Sequence, residues 1–530
     1  MHTISSYTHG PYSPTVGALL PVVVAILLVV LRLVHRKSSA AGQRWYKVSL
    51  GACLVLAIGN YFAFGEFRYD SYMNEWDVTH YYTGTKYATE LGYYRQYEAI
   101  WLADHETGLR STATAVRSLR TYDMVPTATL IAHEADIRSY FSPERWHEFC
   151  EDIAWLKMQL PAPRWTLLTE DHGHNAPPTW TAAMGVLTNV LSVRGDVGRW
   201  CMLLIDPALL LLALGALVWA YGFEAAALTA VLLGTHYFFS WGHLKGTLVR
   251  TDFVAFALFA ICCLKKARPV PAGICAAIAV CSRAFPIFFL VGPLVVLVAR
   301  YVRERRLDPM LVRFFVACGA TALASAFYAV FHFHGTAIFS DWMAKMALHA
   351  TSHESWTVGF RTLFNTVNEP SFSQRSAVAV AGWVDTRLAT QDVLLLWFAR
   401  IAVLLPALYF MRFMTAASAY GFAYVVMFFL VAPVHYYSMV LCLPLLYFAA
   451  EQASWSRTIG LAWLLLTGSL GYLLYFGWQP LHAIWLFRGH GLTFANTLTM
   501  TCFITLTTLH MIAHAARVAM AEQRAAADQA

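Results

Sequence analysis

Within residues 67–94, FRYDSYMNEWDVTHYYTGTKYATELGYY, three carboxylates stand close together: Asp70, Glu75 and Asp77. Tyr69, Tyr72, Trp76, His80, Tyr81 and Tyr82 stand around them. A carboxylate can take a proton from a hydroxyl, and an aromatic ring can lie along an apolar or sugar-like face. The stretch follows an apolar run of membrane-helix character, so the set suits a site for a polar substrate carried on lipid. It equally fits an interfacial aromatic belt leading into an ordinary loop, and composition alone does not choose. Asp77 is the first candidate for a catalytic base. DVTHYY can begin a helix, so a helix-capping aspartate is the alternative. Asp70 and Glu75 could hold sugar hydroxyls, bind a cation or raise the base's pKa by like-charge proximity; loop solvation is their alternative. His80, Tyr81 and Tyr82 are candidates for lining the pocket.

A negatively charged leaving group would need cations. Lys245 and Arg250 lie in SWGHLKGTLVRTD, residues 240–252, with His236 and His243 nearby. Arg283 interrupts an apolar run just ahead of Pro286. An arginine in apolar surroundings is costly and is usually paired or functional; snorkelling or pairing with Asp252 is the alternative. His353 and Arg361 form a third group, and His435 in PVHYY a fourth. A lone histidine at such a place often only packs. Asp171, His172, His174 and Asn175 could bind a divalent cation, but they lack a clear distant ligand. Asp206–Pro207 falls inside an apolar run, where it could kink or cap a helix.

The elements that must position these residues are membrane helices. The chain has 530 residues, 58% hydrophobic and 13% charged, against about 25% charged in an ordinary soluble protein. Apolar runs fall at about 17–34, 48–64, 200–220, 225–239, 253–264, 272–284, 287–299, 311–331, 391–411, 417–436, 438–450, 459–477 and 493–513. The expected fold is an all-α polytopic membrane bundle of about thirteen spans with large extracytoplasmic loops. The runs 272–284 and 287–299 are short, and read as broken or internally packed helices. Basic clusters at 35–47, 265–268 and 300–306 would lie in the cytoplasm, leaving the N-terminus outside and the C-terminus inside. The net charge of +7 then sets orientation and does not argue for nucleic acid. The 10 cysteines show no paired metal spacing, and no cleavable signal pattern is visible.

The division expected is two N-terminal spans at 1–64, an outer segment at 65–198, a membrane core at 199–331, a second outer segment at 332–390, C-terminal spans at 391–513 and a cytoplasmic tail at 514–530. Within the first outer segment, helices are expected at 85–103 and 107–120. A third should start at Ser142–Pro143–Glu144 and bury Trp146, Phe149, Ile153 and Leu156. Residues 169–180 read as an ordered loop.

With these residues in place, the chain resembles the GT-C superfamily of membrane glycosyltransferases. It is most similar to the bacterial polyprenyl-phosphate-sugar dependent GT87 (DUF2029-type) family of mannosyl- and arabinofuranosyltransferases. Asp77, Tyr81 or Tyr82, Gly92 and Tyr93 or Tyr94 fill its acidic motif. Arg283, Pro286 and the run to Arg300 look like its basic-proline segment, with arginine where lysine is more usual. His353, Glu354, Ser355, Trp356 and Gly359 resemble a later polar patch, and Pro433, His435, Tyr436 and Tyr437 its late proline–histidine patch. The likeness covers roughly residues 48–450 as order and spacing. The extra first helix and the long first loop depart from it.

The resemblance implies a GT-C-like bundle in a bacterial cytoplasmic membrane, with its site on the extracytoplasmic side. It implies transfer of mannose or a pentose such as arabinofuranose from polyprenyl phosphate to an envelope glycan or glycolipid, by a single inverting displacement. Asp77, Asp70 and Glu75 would supply the acid–base chemistry; the cations and aromatics named above would bind donor and acceptor. No cofactor is required for this, and a divalent cation stays open. A lipid or sugar transporter or flippase is the main rival, since broken helices and buried charges fit that class too; no internal repeat supports it. A membrane acyl- or phosphotransferase and a structural assembly subunit are further rivals.

Overall fold

Inside hydrocarbon every backbone amide must find its partner within its own segment, which makes apolar runs helical. The computed structural model describes residues 12–34, 40–66, 72–108, 113–239, 244, 246–351, 357–367, 390–472 and 490–527. These are almost wholly helical; the one small sheet among them pairs Ala115–Arg117 antiparallel with Met124–Pro126. Among the described residues six helices are long and apolar enough to cross a membrane: Thr15–Leu33, Asp196–Tyr221, Phe285–Glu304, Pro309–His332, Val393–Met411 and Thr497–Arg524. Large apolar side chains such as Leu323, Phe327, Phe331, Leu394 and Phe398 point outward from two of them, as lipid contact demands.

Shorter apolar helices lie among them: Phe223–Thr235, Pro269–Ser282, Ala416–Leu430 and His435–Ala450. Phe223–Thr235 is buried on all sides from Ala225 onward. At 1.5 Å per residue such helices fall short of a roughly 30 Å hydrocarbon layer, and burial within the bundle is what supports them.

A second hydrophobic core lies outside the bundle, built around Tyr82, Tyr97, Phe149, Ile153, Trp165 and Trp180. Its elements come from the first large polar segment. Helix Pro143–Met158 starts as expected: Ser142 accepts the amide of Arg145, Pro143 occupies the first turn, and Phe149, Ile153 and Leu156 are buried. Residues 169–177 are the expected loop, with helix Pro178–Val190 following.

Three expectations are corrected. Residues 85–103 are not one helix: the chain breaks at Tyr87 and again at Gly92, whose φ of 55° is a conformation glycine adopts without strain, giving Ala88–Leu91 and Gln96–Glu106. Residues 113–120, the described part of the second expected helix beyond Gly108, are not helical, because Val116 is buried between half-buried Ala115 and Arg117, the two-residue period of a strand. The break near Arg283 is real, since helix Pro269–Ser282 stops there. However, the 3-10 turn Phe285–Leu290 runs straight into Val291–Glu304, so the second half is of spanning length and not short. The outer stretch 332–390 also contains a helix, Ala337–Thr351.

Candidate functional site

Helix Glu75–Lys86 carries the first candidates. Asn74 caps it: its side chain accepts the amide of Asp77 at 3.2 Å, and its Nδ2 donates to Asp77 Oδ2 at 3.1 Å and to the Leu244 carbonyl at 2.8 Å. Asp77 is therefore not the cap. It sits in the first turn, where the helix dipole favours negative charge, and forms an ion pair with the Arg250 guanidinium. Backbone bonds from Asn74 to Gly246 at 2.8 Å and from Gly246 to Tyr72 at 2.9 Å lay the Arg250 segment beside this helix.

Asp206 fixes that segment from the bundle side. Its carboxylate accepts the amides of Arg250 at 2.6 Å and Thr251 at 2.9 Å and the Thr247 hydroxyl at 3.3 Å. These bonds hold Val249 at φ 42°, which a β-branched residue seldom adopts. Asp206 thus neither kinks nor caps its own helix, Asp196–Tyr221, which continues through Pro207.

The Arg250 guanidinium lies 3.9 Å from the Tyr436 ring centre and 5.8 Å from that of Tyr81. Arg283 also approaches this ring, 5.7 Å from Tyr81 and 5.0 Å from the Trp180 ring. Arg283 is 5% exposed. Its Nη1 donates to the Ser282 carbonyl at 2.6 Å, while its Nε and Nη2 are buried with no hydrogen-bond partner. Arg250 Nε is also unpartnered. Asp252 lies close enough to attract Arg283 and accepts the Trp180 indole N–H at 3.0 Å. The fold thus gathers Asp77, Tyr81, Arg250, Arg283 and the PVHYY segment, which are scattered along the chain. One carboxylate and two guanidiniums stand among aromatic faces, with guanidinium N–H groups left undonated. Such an arrangement can receive a phosphate and take a proton.

Loop 169–177 walls the other side of this helix. Trp76 donates to Asp171 Oδ2 at 2.8 Å. Protein surrounds most of Asp171, yet 39% of its side chain stays exposed. Burial would push its pKa up; the His172 hydrogen bond, the nearby His80 charge and the Trp76 N–H outweigh that and hold the carboxyl below its usual range. Burial lowers the pKa of His80, which shares a 2.7 Å bond with the Tyr97 hydroxyl. His174 is pushed well below its usual value by burial and by Lys345.

Lys345 and Trp342, on helix Ala337–Thr351, were missed in the sequence. Lys345 is 1% exposed and donates to the carbonyls of Tyr93 at 3.1 Å and His174 at 2.9 Å. Burial lowers its pKa to about 7 against the opposing pull of Asp171. Trp342 donates to the Asn175 carbonyl at 3.2 Å.

Other expected site residues lie elsewhere. Tyr82 turns away from the cluster and accepts from Lys86 at 3.0 Å, beside the buried ion pair of Lys86 with Asp152 at 2.6 Å. Its role is to anchor the helix, because it is rotated about 100° from Tyr81. Glu75 is buried at 6% exposure. His236, at the end of helix Phe223–Thr235, has both ring nitrogens unpartnered and lies near His435, which packs 4.0 Å from the Phe238 ring. Arg361 lies near Arg400, not near Arg283. Asp70, His243, Lys245 and His353 fall outside the described residues. Among the described residues no three His, Cys, Asp or Glu side chains converge as a metal ion would require, so Asp171, His172 and His174 do not form the cation site considered for them. Comparison with family models, curated proteins and solved structures finds no match for this chain.

Proposed function

We propose that the chain is a polyprenyl-phosphate-sugar dependent glycosyltransferase of the GT-C type, with its site on the extracytoplasmic face of a bacterial cytoplasmic membrane. One observation carries the reading: Arg283 is buried with its Nε and Nη2 undonated, and it shares the Tyr81 ring with the Asp77–Arg250 pair. Buried donors of this kind are costly unless a ligand completes them, and a lipid phosphate has the acceptor oxygens to do so.

In this reading the donor phosphate engages Arg283 and Arg250. Drawing Arg250 toward phosphate loosens its hold on Asp77, whose carboxylate then takes the acceptor hydroxyl's proton. The acceptor oxygen bonds to the anomeric carbon as the bond from that carbon to the phosphate oxygen breaks. The electron pair leaves with polyprenyl phosphate, whose growing charge the two guanidiniums stabilise. The anomeric centre inverts, and no general acid is needed because the leaving group is already a phosphate. Asp171 and Trp76, hydrogen-bonded at 2.8 Å beside the same helix, suit the acceptor's hydroxyls and apolar face. The thirteen apolar runs would cross or enter the membrane with the N-terminus outside.

The test is incubation of the pure protein in nanodiscs with a panel of polyprenyl-phosphate sugars and glycan acceptors. Free polyprenyl phosphate and a product heavier by one sugar are expected, read by mass. Substrate flux across a sealed vesicle with no release of lipid phosphate would reject the transferase and favour the transporter.

A further inference from the structure

At the opposite end of helix Phe223–Thr235 from His236, about 20 Å away along thirteen residues, the bundle holds a polar cavity. It has a volume of about 330 Å³ and is lined by Arg32, Lys47, Glu224 and Arg457 above a floor of Leu28, Leu31 and Leu50. A more open hollow of about 470 Å³ adjoins it through Gln43, Lys47 and Phe223, and adds Arg44. The charge is one-sided. Glu224 pairs with Arg457 at 3.1 Å. Among the described residues Arg32, Arg44 and Lys47 have no carboxylate partner. Gly222 opens the helix with no side-chain cap, so the first amides of Phe223–Thr235 add their partial positive charge at the same mouth.

The surroundings select the kind of anion. The cavity sits where the candidate spans Thr15–Leu33 and Asp196–Tyr221 end. Trp45, Val48, Trp219 and Phe223 are exposed around it. Lys266 caps the Trp219 ring at 5.6 Å, and Lys265 the Tyr221 ring at 5.6 Å. Tryptophan rings and lysines at the end of apolar helices mark the depth of lipid head groups. A free anion would use the cations alone; the exposed apolar rim also accommodates the first methylenes of acyl chains.

We infer that this cavity binds the head group of an anionic phospholipid, with its phosphate held by Arg32, Arg44 and Lys47 and its chains lying against the exposed apolar rim of Val48, Trp219 and Phe223. The site is separate from the Asp77–Arg283 cluster and does not depend on the sugar-transfer reading. Basic pockets between membrane helices are suited to phosphate-bearing lipids, at roughly fivefold in affinity per arginine or lysine near the surface.

The experiment uses the full chain, purified in mild detergent and exchanged with defined lipids, with retained lipid read by native mass spectrometry. Phosphatidylglycerol should be retained over phosphatidylcholine. The double variant Arg44→Ala, Lys47→Ala should weaken that retention by about 30-fold; both side chains are exposed, so folding should survive, and an unchanged thermal midpoint in detergent checks this. A second variant, Arg32→Gln, should weaken it by about fivefold. Equal retention of the two lipids, or undiminished phosphatidylglycerol retention in the double variant, overturns the site. Binding of inorganic phosphate that depends on Lys47 but comes with no lipid preference overturns the lipid assignment.

Discussion

Arg283→Met separates a ligand-binding arginine from a structural one. Methionine keeps the reach of the side chain and removes the charge. On one side of the balance, the buried nitrogens Nε and Nη2, which have no partners, disappear, a relief of roughly 1–3 kcal/mol for each nitrogen. On the other, the bond to the Ser282 carbonyl at 2.6 Å is lost, at roughly 1–3 kcal/mol. Contacts over Trp180 at 5.0 Å and Tyr81 at 5.7 Å also go, at roughly 0.5–2 kcal/mol each. Asp252 loses an attraction but keeps the Trp180 indole and the Phe253 amide. The terms nearly cancel, so the ligand-free protein should change by no more than about 2 kcal/mol.

Ligand binding should not cancel. Two charge-assisted bonds to phosphate are worth about 3–6 kcal/mol together, which weakens polyprenyl phosphate by at least about 100-fold. At a lipid concentration 100 times the native Kd, the native protein gains about 2.7 kcal/mol of stability, and the variant only a few tenths. Thermal unfolding in detergent with and without polyprenyl phosphate measures both quantities. An equal ligand-induced shift in Arg283→Met would refute the phosphate assignment. A loss of more than about 4 kcal/mol without ligand would instead make Arg283 the structural partner of Asp252.

Three further outcomes are expected. Asp77→Asn removes the basic carboxylate but keeps its size, so turnover should fall by roughly two to four powers of ten while donor affinity changes far less; near-normal turnover would remove Asp77 as the base. Lys345→Met tests the buried amine: its pKa is about 7 folded against 10.5 unfolded, so the penalty for burying its charge is full below pH 7 and fades as pH rises toward 10.5. Native stability relative to Lys345→Met should therefore climb with pH by about 1.4 kcal/mol per unit across that window, and a flat difference in unfolding midpoints from pH 7 to 9 would reject it. With Cys201 and Cys502 replaced, Thr107→Cys and Ala347→Cys should react with an impermeant thiol reagent from outside intact cells, while Gly42→Cys and Arg303→Cys should not; the reverse pattern would place the site on the cytoplasmic side.

The membrane character was legible because hydrocarbon permits little besides helix, so apolar runs such as 311–331 convert directly into elements like Pro309–His332. Arg283 was legible for a related reason: a charge inside an apolar run needs a purpose. The small strand at Ala115–Arg117 was missed because three residues give too little period to read, and its pairing with Met124–Pro126 is a tertiary fact. Lys345 was passed over because it sits in a short amphipathic helix, where a lysine ordinarily faces water; only its packing against Tyr93 and His174 puts it inside. The partnership of Asp77 with Arg250 was beyond the sequence, since it depends on Asp206 anchoring a distant loop.

Two answers, however, were present in the sequence. Asn74-Glu75-Trp76-Asp77 places a strong N-cap three residues before a carboxylate, the spacing of a capping box, so the cap belonged to Asn74 from the start. Helical phase also separates neighbours: Val78, Tyr82 and Lys86 are spaced by four and share one face, while Asp77 and Tyr81 share another. The first face is buried in the core and tied to Asp152; the second meets Arg250 and the Arg283 side of the cluster. Of two adjacent tyrosines, one therefore had to be structural. The structure identifies the anchor by its lysine one turn on: Lys86, 4% exposed, pairs with Asp152 at 2.6 Å. Helix Glu75–Lys86 is thus held rigid by one stripe so that the other can present Asp77 and Tyr81 in fixed register to the two arginines.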